Sequence, residues 1–364
     1  MNNNHDFHQD TTMDKSHPGK ADVRFASAYH GRECSPRGAS VKKRSFFKAL
    51  FKTTIIILII AAAGFFIWRH FIRPPEVLPA ALIMPPHVES DLQRRDGFYT
   101  FVIVGVDEGN RTDTIMVGSI DTIGGQGHIV SIPRDTQVDV QRRVRKINVA
   151  YPAGNLHGGG HEGGIQQLKN EIQTLIGFKP DFYISLDMEA AEEFIDAIGG
   201  VEVYVPFHMR YSDPHQNLFV DIPPGLQTLD GENAVHFSRY RLGDSGYRTI
   251  SDHVRVEHQQ QVLKAIIVSL VRPANIPRIP SLVRLANELL QTDLDQQHLL
   301  WFGQQIVLPH NSFELETHTL PIRGNTGRAP WYEYPDPAGI IELVNRTINP
   351  FTTDITRDML RIAR

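Results

Sequence analysis

The chain carries one cysteine in 364 residues, Cys34, and it stands before the first long apolar run. The body that follows therefore has no disulfide, no thiolate metal site and no cysteine nucleophile to offer. Absent disulfides still leave an extracytoplasmic location open. Charge of one sign is also missing. Lys and Arg number 37 against 41 Asp and Glu, a net charge of -4, which argues against a nucleic-acid partner. No internal repeat is present, and no Ser/His/Asp or Cys/His set competes for the chemistry. Long apolar runs are absent with a single exception.

That exception runs from Thr53-Thr54-Ile55 to Ile67-Trp68. It is uncharged over about 16 residues, a little short of the ~20 needed to span a bilayer. Ala49–Phe51 and Phe71–Ile72 extend it, Lys52 and Arg69 are placed to snorkel, and Trp68 suits an interfacial anchor. The run is too uniformly apolar for an amphipathic core helix. A cleaved signal peptide fits poorly, because about 50 residues precede the run and Trp68-Arg69-His70 is no small-residue cleavage site. A transmembrane signal anchor is expected over 49–72. Arg37, Lys42, Lys43, Arg44, Lys48 and Lys52 crowd its N-terminal flank without an acid among them. By the positive-inside rule that flank is cytoplasmic and the chain after Arg73 lies outside the cell membrane, as in a single-pass protein.

Residues 1–48 read as a polar, disordered cytoplasmic tail. Residues 73–96, opening with Arg73-Pro74-Pro75, read as a linker. A folded domain is expected over 97–348, followed by a C-terminal tail over 349–364. Within the domain, composition predicts strands at Tyr99–Val106, Thr114–Ile120, His128–Ile132, Phe182–Ser185 and Val201–Val205. Helices are predicted at Glu162–Ile176, at Met188–Ile198 capped by Asp187, from Asp230 towards Phe237, and from Ser251 to Val271. Three more are expected near Leu282–Leu290, Gln296–Val307 and Pro337–Ile348. Strands alternating with helices imply an α/β fold: a central mixed sheet with helices on both faces, an α-β-α sandwich, preceded by one transmembrane helix.

The most informative stretch is Ser131-Ile132-Pro133-Arg134-Asp135-Thr136, at the end of a predicted strand. An α/β sheet usually puts its chemistry there. Other arginines and aspartates surround it in order: Asp107, Arg111 and Asp113 before it, and Lys146, Arg239, Arg241, Asp252 and Arg255 after it. Arginines suit phosphate or pyrophosphate oxygens. Carboxylates suit a divalent cation that bridges phosphates. Arg239 and Arg241 are two apart, so they share a direction only on extended chain, which places both past the end of the preceding helix.

From Phe101 to Gln260 the chain resembles the LytR-CpsA-Psr family of cell-wall glycopolymer transferases. The matching segments are Val104-Gly105-Val106-Asp107, Arg111-Thr112-Asp113-Thr114-Ile115-Met116, Ser131 to Thr136, and Lys146-Ile147-Asn148-Val149-Ala150-Tyr151. Then follow Ile198-Gly199-Gly200-Val201-Glu202-Val203, Leu229-Asp230-Gly231-Glu232-Asn233-Ala234, Arg239-Tyr240-Arg241 and Gln259-Gln260. Leu320-Pro321 to Trp331-Tyr332 looks like the family's last segment.

The resemblance implies a phosphotransferase that moves a glycopolymer (teichoic acid, capsule or similar) from a polyprenyl-pyrophosphate carrier to peptidoglycan. It implies Mg2+ or Mn2+ and an apolar tunnel for the lipid. Arg134, Arg239, Arg241 and Arg255 would hold the pyrophosphate, with Lys146 and Gln259 in support. Asp107 and Asp113 would bind the metal, and Arg134, Asp135 and Asp107 would be the catalytic set. Arg111 and Asp252 are possible additions. Which aspartate deprotonates the acceptor hydroxyl is left open. The expected partners are the lipid-linked glycopolymer, peptidoglycan and the membrane, with no nucleic acid.

The family often reads Gly-Asp-x-Gly-Arg, two residues, then Arg-Gln-Gln. Counted back from Gln259-Gln260, Asp252 and Arg255 fill the pattern, but Val254 stands at the glycine and His258 at the second arginine. A gapped count would choose Asp244 and Arg248 instead. Arg142, Arg143 and Arg145 read as a solvated basic strand or hairpin. His157 and His161 have a metal-like spacing but sit among glycines, as in a flexible loop. Gly158-Gly159-Gly160 lacks the lysine and strand of a P-loop. Two other functions share the same site: a polyprenyl-pyrophosphate phosphatase, and a non-enzymatic lipid-binding regulator or transcription attenuator.

Overall fold

The computed structural model describes residues 41–71, 73–88, 92–106, 112–215, 218–307 and 313–362. The chain divides into two compact units, Met1–Phe65 and Phe66–Arg364. Helix α1 (Val41–Phe71) begins in the first. Its stretch Phe47–Phe66, 20 residues of mean hydropathy 2.2, is long and apolar enough to cross a bilayer. The helix starts at Val41 rather than at the expected residue 49. Lys42 to Lys48 hold no Gly or Pro and include good helix formers, so the basic flank continues the helix instead of belonging to the tail.

The second unit opens with α2 (Ala80–Ile83), then β1 (Phe98–Val106), β2 (Thr112–Asp121) and β3 (Gln126–Ser131). Next come α3 (Ala150–Gly154), α4 (Gly160–Ile176), β4 (Phe182–Leu186), α5 (Met188–Ala197) and β5 (Val201–Val205). Strands β6 (Met209–Asp213), β7 (Leu218–Ile222) and β8 (Gly225–Leu229) lead to α6 (Gly231–Arg239) and α7 (Asp252–Leu270). The chain continues through α8 (Ile279–Leu289), β9 (Gln291–Thr292), α9 (Gln296–Val307) and β10 (Glu314–Thr319). It closes with β11 (Ile322–Asn325), β12 (Glu333–Pro335) and α10 (Pro337–Thr347).

Six strands form the central sheet in the order β10-β3-β2-β1-β4-β9. β1 pairs antiparallel with β2 and parallel with β4, and β3 pairs parallel with β10, so the sheet is mixed as expected. β1 is apolar almost throughout because both its faces are covered. Val102 and Val104 pack with Leu168, Ile172 and Leu175 of α4 and with Ile340 and Val344 of α10. Phe101 faces the other way, with Phe302 of α9 at 5.0 Å between ring centroids. The α-β-α layering follows from that two-sided burial.

The family-like glycine motifs are structural. Gly199 and Gly200 have φ of 83° and 82° and make the left-handed turn from α5 into β5. At Gly231 a Cβ would stand 2.2 Å from the Glu192 carbonyl oxygen, so only glycine lets α6 start against α5. Asp230 caps α6 by accepting from the Asn233 N–H at 3.0 Å.

Four expectations are corrected. The linker is part of the fold: Ile83 is fully buried, and Arg94 makes a two-pronged ion pair with buried Asp181 at 2.6 and 2.8 Å. The C-terminal tail is core as well, with Phe351, Ile355, Met359 and Leu360 buried against α4 and α10. Both segments alternate apolar anchors with polar residues too sparsely for a periodic signal. Arg142 is not solvated, since its guanidinium grips the buried Glu171. His161 is helical rather than in a flexible loop, and its Nδ1 lies 2.9 Å from the Tyr151 hydroxyl.

Candidate active site

The candidate site lies at the carboxyl ends of β1 and β4, where an α/β sheet opens onto loops. A cavity of about 280 Å³ opens there among Gly105, Asp113, Asp187, Arg239, Arg255 and Gln259. A second cavity of about 290 Å³ continues beneath α7, α8 and α9 and is lined almost wholly by apolar side chains, among them Phe101, Phe194, Leu270 and Phe302. The two share Ile103, Leu186, Ala191, Leu263 and Ile266. A polar mouth therefore leads into an apolar chamber.

Arg134 leaves β3 on the loop Pro133–Thr136. The Lys146-Ile147-Asn148 segment zips onto that loop: Ile147 N–H donates to the Thr136 carbonyl at 3.0 Å, and Asn148 N–H to the Arg134 carbonyl at 3.2 Å. Ile147 is fully buried and anchors the segment. Lys146 Nζ donates to Asp135 Oδ1 at 2.7 Å. That lysine and aspartate thus neutralise each other one step behind Arg134.

Arg134 Nη1 donates to Asp113 Oδ1 at 2.9 Å, and its Nη2 lies 3.5 Å from Asp252 Oδ1. Burial works against the Arg134 charge, but Asp252, Asp113 and Asp135 together outweigh it and hold the guanidinium firmly protonated. Ser251 caps α7, which makes Asp252 its first residue and puts Arg255 one turn on. Arg255 Nη2 is 2.9 Å from Asp252 Oδ1. Arg255 is buried, and burial followed by the Arg134 and Arg241 charges pushes its affinity for its proton down, against the pull of Asp252. Its Nε and Nη2 make no hydrogen bond among the described residues.

Arg239 and Arg241 are exposed at the rim and share a smaller hollow beside the mouth. Arg239 is the last residue of α6 rather than past it, and Tyr240, with φ -52° and ψ 128°, turns the chain out of the helix before Arg241. Neither pairs with a described carboxylate. The site thus gathers four arginines beside the carboxylates of Asp113, Asp187 and Asp252.

Asp107 and Arg111 lie outside the described residues. Asp113 keeps a half-exposed carboxylate with one oxygen on Arg134, and Asp252 Oδ1 is buried without an aligned hydrogen bond. These hard oxygen donors fit magnesium or manganese. Gln259 lines the mouth. Gln260 instead locks α7 to the sheet by donating to Ser131 Oγ at 2.9 Å and the His318 carbonyl at 2.8 Å. His258 is core: it stacks on Phe237 at 4.4 Å, and burial pushes it down to about 4, so it is neutral. Asp244 and Arg248 lie away from the mouth, where Asp244 accepts from Ser212 N–H and Arg248 covers the Phe207 ring at 5.1 Å. Geometry thus groups Asp252 and Arg255, not Asp244 and Arg248, with Arg134.

Sequence reasoning missed Glu333. It opens β12, whose backbone bonds to Asp135 and Gln137, so its carboxyl is brought beside Asp135, Asp252 and Arg134. Burial, then the neighbouring aspartates, raise its pKa, and Oε2 is buried with no hydrogen bond among the described residues. The preceding Trp331-Tyr332 was the only cue, and it points to the segment rather than to the carboxylate.

The family model described as "LytR_cpsA_psr family" matches residues 83–346. The chain is 28% identical over 246 residues to the polyisoprenyl-teichoic acid–peptidoglycan teichoic acid transferase TagV of Bacillus subtilis (strain 168), covering 65% of this chain and 59% of that protein. It is 29% identical over 252 residues to the TagU transferase of Oceanobacillus iheyensis, covering 67% of this chain and 73% of that one. The regulatory protein MsrR of Staphylococcus aureus (strain COL) is 24% identical over 237 residues, 64% of this chain and 67% of its own. Among solved structures, Bacillus subtilis TagV superposes with a TM-score of 0.56 at 23% identity, over 74% of this chain and all of that one. TagT bound to LI-WTA gives 0.56 at 19%, over 76% of this chain and 100% of that one.

Proposed function

The chain belongs to the LytR-CpsA-Psr family, and from that premise we propose that it is a membrane-anchored phosphotransferase moving a glycopolymer from polyprenyl pyrophosphate to peptidoglycan. The supporting observation is the pairing of an arginine-lined mouth, where the buried Nε of Arg255 has no hydrogen bond among the described residues, and an apolar chamber behind it. Such a site suits an amphiphile with a multiply charged phosphate head and a hydrocarbon tail. The named activity of the TagV and TagU relatives is of this kind. The apolar span in α1 supports an anchor that keeps the domain beside its lipid substrate, with the N-terminus cytoplasmic and the domain outside.

In the reaction, a peptidoglycan hydroxyl oxygen attacks the phosphorus that carries the glycan. The phosphorus–oxygen bond to the polyprenyl phosphate breaks, a phosphodiester to the wall forms, and polyprenyl phosphate leaves. Arg134, Arg255, Arg239 and Arg241 bind the pyrophosphate and stabilise charge growing on the leaving phosphate. Lys146 fixes Asp135 and, through the loop, the aim of Arg134. Gln259 adds a neutral donor at the mouth. Glu333 has a raised pKa and only His253 Nε2 at 3.5 Å from its Oε1, whereas Asp113 and Asp135 are held by Arg134 and Lys146 at 2.9 and 2.7 Å, so Glu333 is the better-prepared proton acceptor. Magnesium, held by Asp113 with Asp252, would add charge neutralisation on the phosphates, and the family resemblance adds Asp107 as a further ligand.

The test uses the full chain in detergent with magnesium, a polyprenyl-pyrophosphate oligosaccharide and un-crosslinked peptidoglycan. Glycan covalently on peptidoglycan, lost in Arg134→Ala, supports the transferase. Lipid phosphate released without glycan on the wall replaces it with a phosphatase. Lipid binding without turnover, for two different donor glycans, replaces it with a binding protein.

A further inference from the structure

Away from the arginines, at the edge where β3 meets β10, two histidines and a glutamate converge. The strands run parallel with His128 opposite Glu316 and Val130 opposite His318. Residues two apart on a strand share a face, so Glu316 and His318 project on the same side as their cross-strand neighbours His128 and Val130. That side is covered by α10, since Ser119, which stands opposite His128 on β2, donates to the Thr347 carbonyl.

Glu316 Oε2 lies 3.7 Å from His128 Nδ1 and 3.5 Å from His318 Nε2. One ligand atom from each of the three residues lies within 4.8 Å of the other two. A tetrahedral zinc ion at ~2.0–2.1 Å from its ligands holds them about 3.4 Å apart, so only a small closure is needed. Both nitrogens are buried and make no hydrogen bond among the described residues, an unusual state for two polar atoms unless something takes their lone pairs. The rings are not stacked on each other either, standing 5.7 Å apart and tilted by 33°.

We propose that His128, Glu316 and His318 form a binding site for one zinc-type divalent cation, distinct from the magnesium expected at the mouth. Two imidazoles and one carboxylate leave a fourth position for water, and the mixed nitrogen–oxygen set selects zinc, nickel or copper over magnesium. Burial, ahead of the surrounding charges, lowers the proton affinity of both rings, which keeps them neutral as ligands must be. Arg346 of α10 and Arg95 are the cations that face the cluster, and Glu316 supplies the opposing charge.

The ion would fasten edge strand β10 to β3. The β3 strand carries Arg134 just beyond its end, and the His318 carbonyl is the one Gln260 grips from α7. Metal at this edge therefore braces the frame of the site without touching the reacting atoms. It does not depend on the proposed transferase activity.

The full chain, stripped of metal and held in detergent, is titrated calorimetrically with zinc chloride, and its melting temperature is followed alongside. His5, His8, His17 and His30 are present in every variant, so any zinc they take is a common background. One equivalent above that background, absent or weakened at least about tenfold in His128→Asn and His318→Asn but kept in His298→Asn, is the expected result. Zinc should raise the melting temperature of the parent and not of the two ligand variants. Glu316 is exposed, so Glu316→Gln leaves the fold intact and should also weaken binding. Equal zinc affinity in the parent, His318→Asn and Glu316→Gln would overturn the site.

Discussion

Asp252 Oδ1 stands 2.9 Å from Arg255 Nη2 and 3.5 Å from Arg134 Nη2, so one carboxylate at the start of α7 ties the helix arginine to the β3-loop arginine. Removing its charge leaves two largely buried guanidinium groups facing each other. Asp252→Asn should cost about 1–3 kcal/mol of stability, read by chemical unfolding. It should also lower kcat for glycan transfer by about 10²-fold, because the arginines lose their fixed aim. Arg255→Ala should cost transfer a similar factor but less stability, since it removes a buried charge rather than abandoning one. If Asp252→Asn transfers glycan at the parent rate, the coupling is structural ornament and Asp252 leaves the site.

Glu333→Gln should separate binding from proton transfer. The acceptor must be ionised, so transfer by the parent should fall as pH drops through the raised Glu333 pKa and hold above it. In Glu333→Gln, kcat should fall by about 10²- to 10⁴-fold with KM for the lipid donor little changed, and that acidic limb should vanish. A variant that keeps the limb would return the role to an aspartate.

Asp113→Asn should raise the magnesium concentration needed for half-maximal transfer about tenfold or more, and a chelator should abolish turnover in the parent. His318→Asn should leave the magnesium requirement where it was, because its cluster sits at the β3–β10 edge and its nitrogen donors do not favour that ion. An unchanged magnesium curve in Asp113→Asn would take the metal away from this loop.

The alternating helices and strands were legible because their signals are local. Asp187, Asp230 and Ser251 each cap a helix as read from sequence, by accepting from the N–H three residues on. The hairpin β6–β7, strand β8 and strands β10 to β12 were not read, since their short polar runs, such as Glu314–Thr319, acquire strand geometry only from partners far away in sequence. The site followed the same rule. Arg134, Arg255 and Asp252, which the structure brings together, were singled out by the order of motifs. Glu333 and the His128–Glu316–His318 cluster come together through the β12 and β10 pairings, about 200 residues from their neighbours on or just after β3, and no spacing pattern announces them.

His258 turns a departure from the family pattern into an acid-sensitivity. It is almost fully buried against Phe237, and burial pushes it down to about 4 from the 6.5 of an exposed histidine. Above pH 6.5 neither the folded nor the unfolded chain protonates it, and it contributes no pH dependence. Between 6.5 and about 4 the unfolded chain binds a proton that the folded chain refuses, so stability falls as pH falls. The full span is on the order of 3 kcal/mol, at ~1.4 kcal/mol for each tenfold change in proton affinity. His258→Leu should remove that slope while other carboxylates keep theirs, so the gap between parent and variant should shift in the variant's favour as pH drops from about 7 to about 4. Urea unfolding of both chains across that range measures it. A constant gap would mean that the folded chain protonates His258 as readily as the unfolded one, and that its ring reaches water despite the packing on Phe237.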